Sequence, residues 1–375
     1  MHLISVGRIK RKKEGRPEAL TTIPKAIRNV LKAHRKNGCN HFVIDSFRNP
    51  FEVEYFKQRF NSFYMFSISR EKNSISALNR LTSKDIKEIH KKEKRRSGGK
   101  LHEELTSLDV PECCNKSDVF IHKRSATDNK LYTTYSLIRF LCLNDTPGCL
   151  QPNRDERLMQ VALSMKYNSG CISRKVGAAI CDKGGNVLGV GWNDVPVGNV
   201  PCSYRSIDNL HKKRGNKAYS EYERSDEFIH HIIKSNKKRY SKVKHEPFCF
   251  KQYYQKLKSK SDCKCSKKIK KAEFTRALHA EENAFFQALR RENDLSGCVL
   301  YTTDKTCNLC AKKAYQLGIS RIVYIEDFPD DAILQTIRTG NRKIKVDQFS
   351  GIVGSAYLKL FSTPFPEKDI LIHRE

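Results

Sequence analysis

The sequence predicts an α/β protein made of two successive α/β regions, and three observations carry that expectation. Short apolar runs alternate with helix-period segments over residues 38–142, the pattern of a parallel sheet covered by helices. From residue 154 the order becomes helix, hairpin, insertion, helix, strand, helix, strand. That order builds one sheet with helices on both faces, a three-layer α/β/α arrangement. No apolar run approaches the ~20 residues a membrane helix needs, in a chain of 375 residues with 30% charged and 38% apolar side chains.

In the first region, His41-Phe42-Val43-Ile44-Asp45 is a short apolar run ending in an acid. Asn49-Pro50 breaks it into a turn, 51–60 reads as a helix, and 62–68 is a second strand. Ser117-Asp118-Val119-Phe120-Ile121 is a third, and the helix after it carries Leu131, Tyr135, Ile138 and Cys142 at helical spacing. Residues 84–104 are rich in lysine and arginine, including the run from Lys91 to Lys100. A solvated loop is the simpler account of that run and a nucleic-acid patch the alternative. Thr146-Pro147-Gly148 marks a break, which divides the chain into 1–149 and 150–375.

In the second region, Leu158, Val161, Ala162 and Met165 fall at i, i+3, i+4, i+7, one buried helix face. Strands 176–181 and 187–192 flank Gly184-Gly185, a hairpin turn. A long polar insertion spans about 200–272, then helix 279–291, strand 298–302, helix 307–317 and strand 321–325. There is no internal repeat.

The net charge of +30 and a pI near 9.6 attract polyanions. Contact with RNA or DNA through the basic surface is compatible with that field, and a solvated lysine-rich surface is the simpler account. Residues 1–13 are basic but lack the apolar core of a signal peptide, so a cytoplasmic location and no membrane contact are the default expectation. The 14 cysteines are then reduced thiols, suited to metal binding or catalysis rather than disulfides. Cys39, Cys142 and Cys298 sit in apolar stretches and read as small buried hydrophobes. A homo-oligomer is expected.

The chemistry concentrates in His279-Ala280-Glu281 and Cys307-Asn308-Leu309-Cys310. Each half-motif opens a helix, and one strand joins them. Cysteines at i and i+3 share a helical face, and the helix N-terminus favours their thiolates. One imidazole and two thiolates make a three-ligand zinc site whose fourth position holds water. Zn2+ makes such a water a source of hydroxide near neutral pH. Glu281, two residues past His279, is not needed as a ligand and is placed to shuttle protons. Taken alone, Cys-x-x-Cys is often a structural half-site or a redox pair, and His-x-Glu is common by chance. Cys202, Cys249, Cys263 and Cys265, with His245 between them, allow a second, structural zinc, although the Cys263-Lys264-Cys265 spacing is poor and solvated thiols explain it more simply.

The paired half-motifs resemble the zinc deaminase signature H-x-E followed by P-C-x-x-C; Thr306 stands where proline is expected and can cap the helix. Arg154 to Ala162, Cys171-Ile172-Ser173-Arg174-Lys175-Val176-Gly177-Ala178 and Gly191-Trp192-Asn193-Asp194-Val195-Pro196-Val197-Gly198 are similar to the opening helix, first strand and G-Y-N-x-x-P-x-G loop of the deoxycytidylate deaminase family. The resemblance covers roughly 152–198 and 274–326. It implies a cytidine deaminase-like fold and hydroxide attack at C4 of cytosine with loss of ammonia. It also implies that Asn193 hydrogen-bonds the sugar or base, and that Arg174 lies near the phosphate or the sugar pocket. A sheet-edge ion pair is the other reading of Arg174.

A nearer resemblance is to bacterial anti-phage deaminases of deoxycytidine nucleotides, which join a P-loop kinase-like domain to a deaminase. Ile44 to Pro50, the insertion and the tail from Gly351 to Phe361 fit that layout. It implies that dCMP or dCTP is converted to the deoxyuridine nucleotide, depleting the pool during infection. The chain has no G-x-x-x-x-G-K-[ST], so no kinase or ATPase activity is expected. The first region is then a partial, P-loop-free kinase-like scaffold, or the chain begins inside a longer gene. A deaminase of a base in RNA or DNA, such as a tRNA adenosine, and a non-catalytic zinc module that binds nucleic acid are the alternatives. The Arg174 and Asn193 motifs favour a free nucleotide.

Overall fold

A computed structural model describes residues 2–5, 19–70, 82–94, 101–123, 129–240, 246–258, 275–292, 294–326, 337, 339–363 and 365–366. The chain forms two compact units, Met1–Glu156 with Phe349–Glu375, and Arg157–Gln348. The expected segment 150–375 is thus divided, its last part packing with the first unit.

Up to residue 150 the described elements of the first unit are β1 (His2–Ser5), α1 (Ala19–Lys36), β2 (Phe42–Asp45), α2 (Pro50–Lys57), β3 (Phe66–Arg70), α3 (Ser83–Glu93), α4 (Leu101–Thr106), α5 (Val110–Asn115), β4 (Val119–Lys123) and α6 (Asn129–Asp145), and a strand at Gly351–Ile352 and a helix at Ser355–Phe361 join them from the tail. β1 and β2 pair in parallel, as do β3 and β4. Asn49 starts α2: its side chain accepts the Phe51 N–H, and Pro50 fills a first-turn position that needs no donor. Its amide also donates to the Leu105 and Ser107 carbonyls at 2.8 and 2.9 Å. Ile23, Ile27 and Leu31, one stripe of α1, pack with Val53, Phe56 and Phe47.

On α6 the expected stripe is inverted. Phe140 and Leu143 are buried against β4, whereas Leu131, Tyr135, Ile138 and Cys142 are exposed. Cys142 is therefore not the buried hydrophobe the sequence suggests, although Cys298 is buried.

Glu156 is one of the residues that tie the tail to the first unit, beside the packing of Ile352, Ala356 and Leu360 with Val119, Phe140 and Leu143. It is fully buried and bridges Arg139 through Oε1–Nη1 at 2.6 Å and Oε2–Nη2 at 2.8 Å. Its Oε1 also accepts the Ile352 N–H at 2.9 Å. That bond holds β10 (Gly351–Ile352) antiparallel to β4.

The second unit begins within α7 (Arg154–Met165) and contains β5 (Gly177–Cys181), β6 (Val187–Trp192), α8 (Ile207–His211), α9 (Asp226–Tyr240), α10 (Phe250–Lys258), α11 (Ala280–Leu289), β7 (Val299–Asp304), α12 (Asn308–Gln316), β8 (Arg321–Glu326) and β9 (Lys345–Gln348). One sheet runs β6-β5-β7-β8-β9, with β5 antiparallel to both neighbours and β7, β8 and β9 parallel. Ala178, Ile180, Leu300 and Ile322 pack with Ala280, Ala284, Ala311 and Ala314 of α11 and α12. Ala179, Cys181, Tyr301 and Val323 alternate with them and are equally buried, so helices or loops cover both faces.

Gly191 and Gly189 let α11 lie directly on β6. A Cβ on Gly191 would sit 2.2 Å from the Ala280 carbonyl, and one on Gly189 would sit 2.6 Å from that of Ala284.

The insertion is no polar loop over its described length. Ile207, Leu210, Tyr219, Phe228, Ile232, Phe248 and Tyr253 form a core of their own. Arg205 is buried beside it, ion-paired with Glu223 and stacked near Tyr219 and Phe248. No described helix is long and apolar enough to cross a membrane.

Candidate active site

His279 and Cys307 occupy equivalent places, each the N-cap of its helix with extended backbone, φ −75° and −71°. Cys310 follows one turn into α12 and Glu281 sits in the first turn of α11. Both helices rest on the sheet through small alanines, so their N-termini meet beyond the C-terminal ends of β7 and β8. His279 Nδ1 lies 3.3 Å from Cys307 Sγ and 3.4 Å from Cys310 Sγ. The three donor atoms lie within 4.8 Å of one another, the one such His/Cys/Asp/Glu group found among the described residues.

That donor set fits zinc. Zn–S bonds of about 2.3 Å and Zn–N bonds of about 2.0–2.1 Å at tetrahedral angles imply an N···S edge of roughly 3.5 Å, close to both distances here. The three groups polarise one another. Hydrogen bonding from Cys310 and from His279 brings the Cys307 thiol down to about 4. Hydrogen bonding to Cys307 takes His279 up to about 9 against the effect of burial. The hydrogen bond between Cys310 and Cys307, and burial, push the Cys310 thiol up. A nitrogen and two sulfurs poised this way release protons when a divalent cation takes their place.

Glu281 is 4% exposed. Burial raises its carboxyl to about 7, the imidazolium of His279 opposing. An acid in that range exchanges protons readily near neutral pH.

Neighbouring contacts hold the ligands in place. Glu282 accepts the His279 N–H at 2.8 Å and pairs with Lys313 of α12, joining the two ligand-bearing helices. Lys313 and this N–H keep Glu282 below the usual carboxylate range despite burial. Leu278 N–H donates to the Asp194 carbonyl at 2.8 Å, and Asn283 to the Trp192 carbonyl at 2.8 Å. These bonds strap the start of α11 to the loop after β6.

Asn193 sits in that loop with each end of its amide engaged by backbone. Oδ1 accepts the Val176 N–H and Nδ2 donates to the Arg174 carbonyl, both at 2.7 Å. The Arg174 guanidinium reaches Asp304 and Glu326, each at 2.6 Å. Burial, and Glu326 beside it, raise Asp304 to about 6, with Arg174 opposing. The two acids lie at the ends of β7 and β8, and nothing in the local sequence links them to residue 174.

Thr306 does not cap α12. Cys307 is the N-cap, and the Thr306 hydroxyl is buried without a hydrogen-bond partner. Among the insertion cysteines, burial raises the Cys249 thiol, with Cys202 and Cys171 near enough to add to it; His245, Cys263 and Cys265 lie outside the described residues.

Residues 152–326 match the family model for the cytidine and deoxycytidylate deaminase zinc-binding region. The chain is 29% identical over 180 residues to the deoxycytidylate deaminase of Enterobacteria phage T2, spanning 46% of this chain and 79% of that protein. It is 27% identical over 175 residues to the deoxycytidylate deaminase of Enterobacteria phage T4, spanning 46% and 77%. Among solved structures, the cyanophage S-TIM5 dCMP deaminase in complex with dCMP and dUMP aligns over 53% of this chain and 99% of its own, at 17% identity and a TM-score of 0.30.

Proposed function

We propose that this chain, whose residues 152–326 carry the cytidine and deoxycytidylate deaminase zinc-binding region, is a zinc-dependent hydrolase that deaminates dCMP. One observation carries the reading: an imidazole nitrogen and two sulfurs gathered at two helix N-termini, with a buried carboxyl two residues from the imidazole. His279, Cys307 and Cys310 would hold Zn2+, which supplies acidification of a water to hydroxide near neutral pH. Glu281 takes the proton of the attacking water and delivers it to N3 of the base. As the C4–N4 bond breaks, the same carboxyl takes the remaining proton from the C4 hydroxyl, which becomes the carbonyl, and passes it to the departing amine. Water and the cytosine ring become uracil and ammonia, with no other reactant needed.

Asn193 joins the loop after β6 to residues 174–176 and borders the site; its proposed role is to present that loop to the sugar or base. Arg174 acts by holding β7, β8 and the loop together.

A partial kinase-like scaffold in the first unit is supported by the parallel β3–β4 pair and the Asn49–Pro50 strand-to-helix turn. A role in draining deoxycytidine nucleotides during phage infection follows only from the resemblance to anti-phage enzymes. The net charge of +30 favours a second reading, a base within RNA or DNA as substrate.

Ammonia release from dCMP, dCTP, deoxycytidine, single-stranded DNA and RNA separates these. The expected result is turnover of the free nucleotide, and a polynucleotide as the sole substrate would sink the proposal. Glu281→Gln is expected to keep zinc and lose turnover; comparable activity in that variant refutes the proton-shuttle role.

A further inference from the structure

We propose that the outward face of α6 is where a second copy of this chain docks. The proposal stands apart from the catalytic reading. α6 is apolar on both sides: Phe140 and Leu143 face the first unit's core, while Leu131, Tyr132, Tyr135, Ile138 and Leu141 are 84%, 46%, 63%, 53% and 61% exposed. A helix that is apolar all round is normally covered all round. At the ~150–250 Å2 of a large side chain, these five leave roughly 600 Å2 open, the upper limit of the patches monomers tolerate. It also approaches the ~800 Å2 that each partner gives to a standard interface.

Three features choose the occupant. From Leu131 to Cys142 the face carries no charge, its residues there being Leu131, Tyr132, Thr134, Tyr135, Ile138, Leu141 and Cys142, and the exposed Asp145 closes it at the C-terminal end. Arg139, the charged residue in mid-helix, is turned inward to Glu156. A polyanion or an anionic membrane would need cations here, whereas two copies of a +30 chain meet most readily where no like charges oppose. Leu131, Tyr135, Ile138 and Cys142 are spaced 4-3-4, the seam by which one helix packs against another. A seam of identical residues pairs with itself across a two-fold axis.

The test uses the full chain. In sedimentation at micromolar concentration, Tyr135→Glu with Ile138→Glu is expected to halve the wild-type assembly mass. Leu131→Ser serves as a milder variant, and zinc content and deaminase turnover, read on both, check that each has folded. In wild type, a short bismaleimide is expected to join two chains through the exposed Cys142, with the dimer band lost in Cys142→Ser. An unchanged mass in folded variants with no Cys142–Cys142 product overturns the proposal. So does a monomeric wild type, including one that stays monomeric and pellets with phosphatidylserine vesicles.

Discussion

Gly191→Ala tests how the sheet sets the active-site geometry. A Cβ at residue 191 would lie 2.2 Å from the Ala280 carbonyl oxygen and 2.4 Å from the Ala284 nitrogen, where ordinary contact begins at 3.4 Å. Both neighbours are backbone, so no side chain can swing aside. The first turn of α11 must retreat by about 3.4 − 2.2 Å, close to 1 Å, or β6 must move as far. Overpacking of this size costs roughly 1–3 kcal/mol. The functional cost is larger than that figure suggests, because Ala280 lies between His279 and Glu281. A displacement near 1 Å at a reacting group can reduce turnover by ~10²-fold. Gly189→Ala is the control: its Cβ would meet Ala284 O at 2.6 Å and Ala288 N at 2.7 Å, one and two turns farther along the helix. Thermal unfolding, zinc affinity by chelator competition and kcat/KM for dCMP would be measured for both. Similar losses of stability are expected, with zinc affinity and kcat/KM falling much further for Gly191→Ala. Wild-type turnover in Gly191→Ala, or a larger loss in Gly189→Ala, refutes the argument that this contact positions the site.

Other predictions follow the same logic. If Glu281 is the base proposed above it acts in its ionised form, and burial raises its carboxyl to about 7, so kcat/KM should fall as pH drops through that region; a bound cation pulls the limb lower, and activity that climbs on acidification would contradict the role. Glu156→Gln leaves Arg139 buried opposite a neutral amide, so denaturant unfolding should report a loss of about 3–5 kcal/mol, whereas a loss under 1 kcal/mol would mean water already serves that arginine. Thr306→Val removes a buried hydroxyl that has no partner and is expected to be neutral or stabilising by about 1 kcal/mol without loss of zinc; a marked drop in metal content would assign the hydroxyl a role.

The His279, Cys307 and Cys310 group was legible in the sequence because its geometry is local. His279 with Glu281, and Cys307 with Cys310, are each fixed within one helical turn, and the apolar run 298–302 already placed a strand between them. Periodicity on α6 was equally clear about which residues share a face but silent on which face is inward, since Phe140 and Leu143 form a second apolar stripe that the core takes instead. The insertion looked polar on average, yet a few aromatics among its lysines were enough to build a core. Glu156 with Ile352, 196 positions apart, had no local signal at all, and that bond joins the β10–β4 pairing and the packing of Ile352, Ala356 and Leu360 in tying the tail to the first unit.

Of the two readings the sequence left open for Arg174, the structure shows the ion pair. A guanidinium beside a nucleotide site suits a phosphate, but here two carboxylates take it first, Asp304 and Glu326, each at 2.6 Å. With both acids ionised the trio carries a net charge of 1 − 2 = −1, and with Asp304 protonated, as burial encourages near pH 6, the net is zero. In neither state is it an anion site, and freeing the arginine for a phosphate would strand two acids, one of them buried. Arg174 remains close enough to matter by tying the ends of β7 and β8 to the loop that Asn193 holds, so its removal should disturb the site through that loop rather than through charge.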